Sequence, residues 1–323
     1  MISPVSPACS PGKHLLQKPA SIDTPLADER NRGVQSKTYF LLFLILCCGH
    51  PARAQDQKLC GRIFSFATSN KLIEKPIGEV VALIGEQFLG TPYEPNTLEQ
   101  PGEERLVVNL RAFDCVTLVE NVLALARCVK KDRLSFNAFG QELQKLRYRN
   151  GRVTGYASRL HYFIDWISDN QKKGIVEDVT QRLAGKPYRK AFNFMSKHRK
   201  LYRQLAIDST FSQIEATEEA LSNRSWLFVP KSKIIGSHSA IQTPQSEIRS
   251  GDIIAFTTER EGLDIAHTAI ALRLDDGSLH CLHAPDAKGK VRITDETLSE
   301  YIQKHTSFTG IIVARPVALR GTN

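Results

Sequence analysis

The sequence predicts an α+β fold, with helices in the first two thirds of the chain and an antiparallel sheet in the last third. Between residues 76 and 223, several segments place apolar residues three and four positions apart, as amphipathic helices do. After Trp226 the pattern changes to short β-branched runs that are separated by Gly, Asp and Pro. Helices first and a meander of strands last indicate an α+β domain rather than a doubly wound sheet.

The N-terminal 54 residues of the 323-residue chain are predicted to be a leader. An apolar run over residues 38–49 follows the basic Lys37 and is closed by Ala52-Arg53-Ala54, the small-x-small pattern of a signal-peptidase site. A membrane span needs roughly 20 apolar residues, so this run is too short to cross a bilayer. We therefore expect cleavage after Ala54 and an exported protein, periplasmic or extracellular, made of residues 55–323.

Composition places the chain among ordinary globular proteins. Apolar residues make up 41% of it and the formal net charge is +9, which excludes a disordered or collagen-like class. A basic balance suits attraction to anionic wall polymer or membrane headgroups, and dispersed solvated lysines explain it equally well. No block of five or more like charges indicates a nucleic-acid partner. The cysteines that follow the leader match no zinc or Cys-x-x-Cys spacing; they are Cys60, Cys115, Cys128 and Cys281.

The helical part begins with the segment from Pro76, whose apolar pattern breaks at Gly90 into a Pro-containing loop. The next helix is predicted in "FDCVTLVENVLALA", residues 113–126. Further helical patterns occur in "FNAFGQELQKLRYRNG", "RLHYFIDWISDNQKKG" and "NFMSKHRKLYRQLA", with Gly151 and Gly174 as stop signals.

The strand part consists of the runs "WLFVP", "GDIIAF", "HTAIALRL", "LHCLHA", "VRITD" and "GIIVARPV". The turn residues Asp275-Asp276-Gly277 stand between the third and fourth runs, so these two strands are predicted to pair as a hairpin.

A cysteine occupies an unusual position in the helix that follows Phe113. Asp114 stands where an N-cap is expected, which places Cys115 on the first turn of an amphipathic helix. The positive end of the helix macrodipole favours a thiolate, so we expect a lowered thiol pKa there. The position therefore indicates a nucleophile, although a lone cysteine is more commonly a small core residue.

Two histidines in the sheet supply a proton-transfer partner. His267 begins one strand of the predicted hairpin and His283 ends the other, so both imidazoles are expected at the same end of the sheet. Either histidine alone would be an ordinary strand-end residue. Together with Cys115 they predict a Cys/His/His catalytic set in an enzyme.

These motifs carry a family resemblance. "GTPY" before "FDCVTL", then "SGDIIAF", "AHTAIAL" and "CLHAP", resemble the motif series of the NlpC-type papain-like cell-wall peptidases. The long spacing from Cys115 to His267, with "SRLHYFIDW" and "NFMSKH", resembles the N-acetylmuramoyl-L-alanine amidase-like branch. The resemblance covers roughly residues 78–316. It implies a single papain-like catalytic domain over residues 55–323, with a helical insertion at about 130–225.

The resemblance also implies roles for the catalytic residues. Cys115 is the nucleophile, His267 the general base and acid, and His283 the partner that orients His267. The backbone N–H of Cys115 is a natural oxyanion donor. Tyr93 either adds a phenolic donor or lines the cleft, and Asp114 is an N-cap rather than a proton carrier. No metal or other cofactor is implied.

Residues of the insertion are candidates for gripping a muropeptide. They are Arg159, His161 and Trp166 in "SRLHYFIDW", and Ser196 and His198 in "NFMSKH". An aromatic stripe on an amphipathic helix is more often part of the core than of a site, so each of these residues also has a purely structural interpretation.

The implied activity is hydrolysis of the amide between N-acetylmuramic acid and L-alanine, with peptidoglycan or a muropeptide as substrate. One alternative keeps the nucleophile but cuts between D-glutamate and the diamino acid of the stem peptide. An acyltransferase or lipid hydrolase of related fold usually has its histidine ahead of its cysteine, which argues against that class. A non-catalytic wall-binding module would explain the basic charge but not the Cys/His/His set.

Overall fold

The structure is a computed structural model that describes residues 51–183, 185–235, 244–286 and 289–318. The apolar run of the predicted leader lies outside these residues, and the predicted cleavage point after Ala54 falls in the first turn of a helix. In the described part of the chain, every helix is too short or too polar to cross a membrane.

Helices dominate the first two thirds of the described chain, as predicted. Their bounds are α1 (Pro51–Ser69), α2 (Ile77–Glu86), α3 (Cys115–Lys130), α4 (Phe136–Arg147), α5 (Phe163–Lys172), α6 (Phe194–Lys197), α7 (Asp208–Ser222), α8 (Lys231–Ile235) and α9 (Leu298–Lys304).

An antiparallel sheet occupies the last third. Its strands are β1 (Val176–Asp178), β2 (Lys186–Tyr188), β3 (Trp226–Pro230), β4 (Ile253–Thr258), β5 (Ile265–Arg273), β6 (Leu279–His283), β7 (Arg292–Ile293) and β8 (Phe308–Pro316). Their order is β2-β3-β8-β4-β5-β6-β7, and β1 also pairs with β8. Helices and an antiparallel sheet in one chain confirm the α+β class.

The predicted hairpin joins β5 to β6. Leu274 N–H donates to the carbonyl of Ser278 at 2.9 Å, and Asp276 Oδ1 accepts the N–H of Ser278 at 2.8 Å. Gly277 has φ +81°, a conformation that glycine adopts at little cost. The turn fixes the register of Ile270 with Leu282 and so determines where the two strand-end histidines lie.

The middle of the chain is mostly helical, as predicted, and one segment of it differs from the prediction. Two short strands also lie there, because β1 pairs with β8 and β2 with β3 at one side of the sheet. The segment "NFMSKHRKLYRQLA" is not one helix. Its helix α6 ends at Lys197, because the backbone turns at His198 and is extended at Tyr202 before the next short turn.

The sheet separates two apolar clusters, since successive strand residues face opposite sides. One cluster holds α1 to α5 against one face, and the other lies between the opposite face and the helices α8 and α9. Helix α3 is buried almost throughout and packs on α2, α4 and β5. Buried ion pairs of Arg147 with Glu120, at 2.7 Å, and of Arg127 with Glu142, at 2.9 Å, also tie α3 to α4.

Candidate active site

Helix α3 begins at Cys115, and Asp114 is its N-cap as predicted. Asp114 Oδ1 accepts the backbone N–H groups of Val116 at 3.0 Å and Thr117 at 2.7 Å. Thr117 Oγ1 in turn accepts the N–H of Asp114 at 2.9 Å, which completes a capping box. The Asp114 carboxylate is therefore buried and occupied by the helix end. This geometry fixes the first turn on which the cysteine stands.

The loop that contains Tyr93 runs beside the chain that enters α3. Phe113 N–H donates to the carbonyl of Pro92, and Glu94 N–H donates to the carbonyl of Phe113, both at 3.0 Å. Tyr93 is partly buried and packs against the core. The loop thus brings Tyr93 close to the nucleophile position, where either predicted role for its phenol remains open.

The structure brings His267 and His283 together at one end of the sheet. His267 Nε2 lies 2.8 Å from His283 Nδ1. Continuing the β5–β6 register places His283 opposite Ala269, two positions from His267 on the same strand face. A β-bulge between Phe256 and Thr257 of β4 lies next to His267, and such bulges often re-aim side chains at active sites.

Two residues that the sequence analysis did not identify complete the histidine cluster. The hydroxyl of Tyr301, on α9, lies 3.4 Å from His283 Nδ1, and its ring packs edge-on against His283. His305 packs on the other side of Tyr301, with ring centroids 4.3 Å apart. The Nε2 atom of His283 is buried and has no hydrogen-bond partner among the described residues.

Strand β5 also contacts the start of α3 directly. Thr268, which follows His267, donates its hydroxyl to the carbonyl of Cys115 at 2.7 Å. Among the residues that the structure describes, no hydrogen bond joins the Cys115 sulfur to the His267 ring. The direct contact between nucleophile and base therefore stays a prediction, and such contacts are often loose in the absence of substrate.

The expected lowering of the Cys115 pKa is wrong for this structure. Burial raises the pKa of the Cys115 thiol to about 11, and the charge of Asp114 adds to the rise. Hydrogen bonds with Thr268 act in the opposite direction but do not reverse it. Desolvation and the capping carboxylate thus outweigh the helix macrodipole, and the neutral thiol is the resting form near pH 7.

The two histidines are also neutral near pH 7. Burial lowers the pKa of His267 well below its usual 6.5, and the neighbouring His283 and His305 lower it further. The pKa of His283 falls to about 4, first through burial and then through Arg292 and His305. A neutral imidazole beside a neutral thiol can accept the thiol proton when the sulfur attacks.

The residues predicted in "SRLHYFIDW" are mostly interior. Arg159 is 2% exposed, bonds Glu99 at 2.6 Å and stacks on Tyr156, so it holds the loop ahead of α3. His161 donates its Nε2–H to the backbone carbonyl of Tyr156 at 2.9 Å. Trp166 is fully buried and stacked on Phe163. The structure places Trp166 in the core rather than at a surface.

The residues predicted in "NFMSKH" lie nearer to solvent. Ser196 is half-buried, and its hydroxyl donates to the carbonyl of Asn193 at 3.2 Å. His198 is exposed and stacks on Phe194, with ring centroids 4.1 Å apart. Both sit at α6, on a different element from the histidine pair.

The remaining cysteines are core residues with free thiols. Cys60, Cys128 and Cys281 are buried, so their side chains pack in the core. Within residues 51–318, leaving aside the segments that the structure does not describe, no three His, Cys, Asp or Glu side chains are grouped as metal ligands.

Comparison with known proteins gives a consistent family. A family model described as "AmiA-like: N-acetylmuramoyl-L-alanine amidase-like" matches residues 83–311. A comparison with curated protein sequences gives no match.

Solved structures agree with this match. A crystal structure described as an N-acetylmuramoyl-L-alanine amidase from Bacteroides uniformis is 38% identical, with a TM-score of 0.68, and the match covers 74% of this chain and 98% of that one. A Bacteroides fragilis protein with a provisional xylanase name is also 38% identical, with a TM-score of 0.65 and coverage of 72% and 98%. Protein LPG0564 from Legionella pneumophila, 20% identical with a TM-score of 0.62 and coverage of 82% and 96%, shares the fold.

The family match takes in Cys115, His267 and His283, and it extends over most of the chain. The chain belongs to the AmiA-like family of N-acetylmuramoyl-L-alanine amidase-like proteins.

Proposed function

We propose that this protein is a cysteine amidase that cleaves the bond between the lactyl group of N-acetylmuramic acid and L-alanine in muropeptides. The observation that carries the proposal is the arrangement of three elements. Cys115 begins a capped, buried helix, β5 packs against that helix start, and His267 at the beginning of β5 is bonded to His283. The Bacteroides uniformis relative, described as an amidase of this kind, supports the choice of bond.

The first half of the reaction forms a thioester. The Cys115 sulfur attacks the lactyl carbonyl carbon while its proton passes to His267, through the ring nitrogen that does not contact His283. The oxyanion that forms accepts a hydrogen bond from the N–H of Cys115, which has no partner within the helix. His267 then gives its proton to the alanine nitrogen, the C–N bond breaks and the peptide leaves.

The second half releases the sugar acid. A water molecule attacks the thioester carbonyl and gives its proton to His267. The C–S bond breaks, the sulfur regains a proton from His267, and the muramic acid departs as its carboxylic acid, which then gives its proton to the released amine or to water. Atoms and charges balance without a further reactant, because hydrolysis consumes one water for each amide.

His283 and Tyr301 hold His267 in the form that this reaction needs. If His267 Nε2–H donates to His283 Nδ1, the opposite nitrogen of His267 is unprotonated and can act as a base. His283 is thus a positioning residue. Tyr301, whose hydroxyl lies 3.4 Å from the same His283 atom, supports that position.

The NlpC-type papain-like assignment and export are part of the proposal. The order of nucleophile on a helix, histidine on a strand and third residue on the next strand supports the former. A wall substrate lies outside the cytoplasm, which supports the predicted leader and a mature domain over residues 55–323 with an insertion at about 130–225. Tyr93, Ser196 and His198 remain candidates for substrate contact, and Arg159 and His161 for shaping the cleft.

The alternatives differ in how the site supports them. An endopeptidase acting at the D-glutamyl bond would use the same catalytic residues. A xylanase uses a pair of carboxylates, whereas the groups proposed to react at this site are a thiol and imidazoles. A wall-binding module has no need of the bonded histidine pair beside Cys115.

The bond can be identified from the products. Purified protein is incubated with a disaccharide-peptide of defined sequence, and the products are separated and weighed by mass spectrometry. The amidase proposal predicts free disaccharide and intact peptide. A shortened stem peptide still attached to sugar would contradict the amidase proposal and support the endopeptidase alternative. An unchanged substrate would contradict both.

A further inference from the structure

One cleft in the described part of the chain is not used by the mechanism above. It has a volume of about 940 Å³ and lies between the start of α1, the segment 94–111 and the first turns of α4. Leu106, Val108 and Phe136 give it an apolar floor. Arg105, Arg111 and Glu94 give it charged walls.

The two arginines keep donors available for a ligand. Arg111 Nε bonds the buried Asp56 carboxylate at 3.0 Å, and the side chain is 35% exposed. Neither outer nitrogen of its guanidinium has a hydrogen-bond partner among the described residues. Arg105 is exposed, and its side chain makes one long bond of 3.4 Å to the carbonyl of Pro101. Guanidinium groups bind carboxylates with two parallel hydrogen bonds.

Glu94 adds the opposite charge. It is exposed, and its carboxylate forms neither a hydrogen bond nor an ion pair with any residue that the structure describes. A ligand with carboxylates and one ammonium group would therefore find complementary charges along this cleft.

Two residues that line the cleft lie close to the nucleophile along the chain. Glu94 N–H donates to the carbonyl of Phe113, two residues before Cys115, at 3.0 Å. Arg111 precedes Cys115 by four residues, so their Cα atoms are at most about 14 Å apart. An extended tripeptide spans roughly 11 Å. A peptide that leaves the scissile carbonyl at Cys115 is thus long enough to bring its later residues to Arg111, and Arg105 lines the same cleft.

We infer that this cleft binds the stem peptide of the substrate, with Arg105 and Arg111 on its carboxylates and Glu94 on the amino group of its diamino acid. The inference rests on the proposed function for the identity of the peptide. It does not depend on Arg53, which also lines the cleft but would be lost by cleavage after Ala54.

Binding is measured separately from turnover, in protein carrying Cys115→Ala. The probe is the tripeptide L-alanyl-γ-D-glutamyl-diaminopimelate, titrated calorimetrically, with the same peptide amidated at its carboxylates as the comparison. Arg105→Gln and Arg111→Lys are the test variants. Lysine at position 111 keeps a cation beside the buried Asp56 but loses the planar fork. Arg182→Gln is the matched control, because Arg182 is an exposed arginine outside the cleft.

A charged hydrogen bond is worth enough to change affinity about tenfold or more. Each test variant should therefore raise the Kd of the tripeptide about tenfold, amidation should do the same, and Arg182→Gln should leave it within about twofold. A thermal melt shows whether the Arg111→Lys protein is folded. If it is not, the Arg105→Gln variant still tests the inference, because the Arg105 side chain is exposed. Equal binding of free and amidated peptide, or no change in Arg105→Gln, would overturn the inference.

A kinetic comparison separates this failure from failure of the proposed function. Protein with Cys115 intact is assayed on disaccharide-tripeptide and on disaccharide-L-alanine. The inference predicts that Arg105→Gln raises KM about tenfold for the first substrate only. If both substrates are cleaved and Arg105→Gln raises KM equally for both, the amidase activity is supported but the peptide-binding role of the cleft is refuted. If the tripeptide binds in a way that depends on the arginines but no amide is cleaved, the peptide-binding role of the cleft is supported and the amidase activity is refuted.

Discussion

The pH dependence of turnover follows from the burial of the catalytic groups. The base is neutral His267, and burial together with the neighbouring His283 and His305 lowers its pKa well below 6.5. A histidine with the usual pKa of 6.5 would be about tenfold less often neutral at pH 5.5 than at pH 7.5. Because the His267 pKa is lowered, its neutral form persists to lower pH. The acid limb of the pH profile of kcat/KM therefore also moves to lower pH.

We therefore expect kcat/KM to fall by less than about threefold between pH 7.5 and pH 5.5. The basic limb should lie high, since the pKa of Cys115 is raised to about 11. The assay is release of disaccharide from a disaccharide-peptide, in buffers of constant ionic strength. The profile of kcat/KM reports the free protein, which is the state that the structure describes.

Folding must be monitored in the same buffers. The lowered pKa of His283, from 6.5 to about 4, means that the unfolded chain binds a proton more readily. This histidine therefore contributes stability above pH 6.5 that is progressively lost as pH falls towards 4, in total about 3 kcal/mol. A tenfold loss of kcat/KM by pH 5.5, with circular dichroism showing a folded protein, would refute the assignment of a desolvated His267 as the base.

Other predictions concern single substitutions. His283→Ala should lower kcat about 10- to 100-fold while changing KM little, since it removes one buried hydrogen bond that orients His267; an unchanged kcat would contradict the positioning role. Asp114→Asn should keep the cap but lower the thiol pKa of Cys115, measured by the pH dependence of alkylation, whereas Asp114→Ala should also cost about 1 kcal/mol of unfolding free energy. Trp166→Ala should lower the free energy of unfolding by about 3–5 kcal/mol, as denaturant titration would show; lost substrate affinity at full stability would instead support the binding role.

Local sequence signals were sufficient for the parts of the site that depend on neighbouring residues. Asp114 caps α3 because a carboxylate one residue before a helix accepts its first N–H groups. The turn at Gly277 sets the β5–β6 register, and the register brings His267 and His283 to one end of the sheet. Both predictions used residues that are close along the chain.

Features that depend on distant packing were not predictable in this way. The pKa of Cys115 is raised because the thiol is buried by elements that lie more than a hundred residues away from it along the chain. The helix-dipole argument considered only the helix that begins at Cys115. The capping box at Thr297 and Glu300 could have located helix α9. Nothing in that local pattern indicates that Tyr301 faces His283. The periodicity around Trp166 likewise marks an apolar face but not whether that face meets the core or a ligand.

The role of Cys115 is tested most directly by Cys115→Ala on the disaccharide-peptide. The substitution removes one small group from a helix end that Asp114 still caps, so folding should be nearly unchanged by thermal melting. Release of disaccharide should be abolished, because the substitution removes the thiol that forms the acyl intermediate. Full turnover by folded Cys115→Ala protein would contradict the cysteine mechanism.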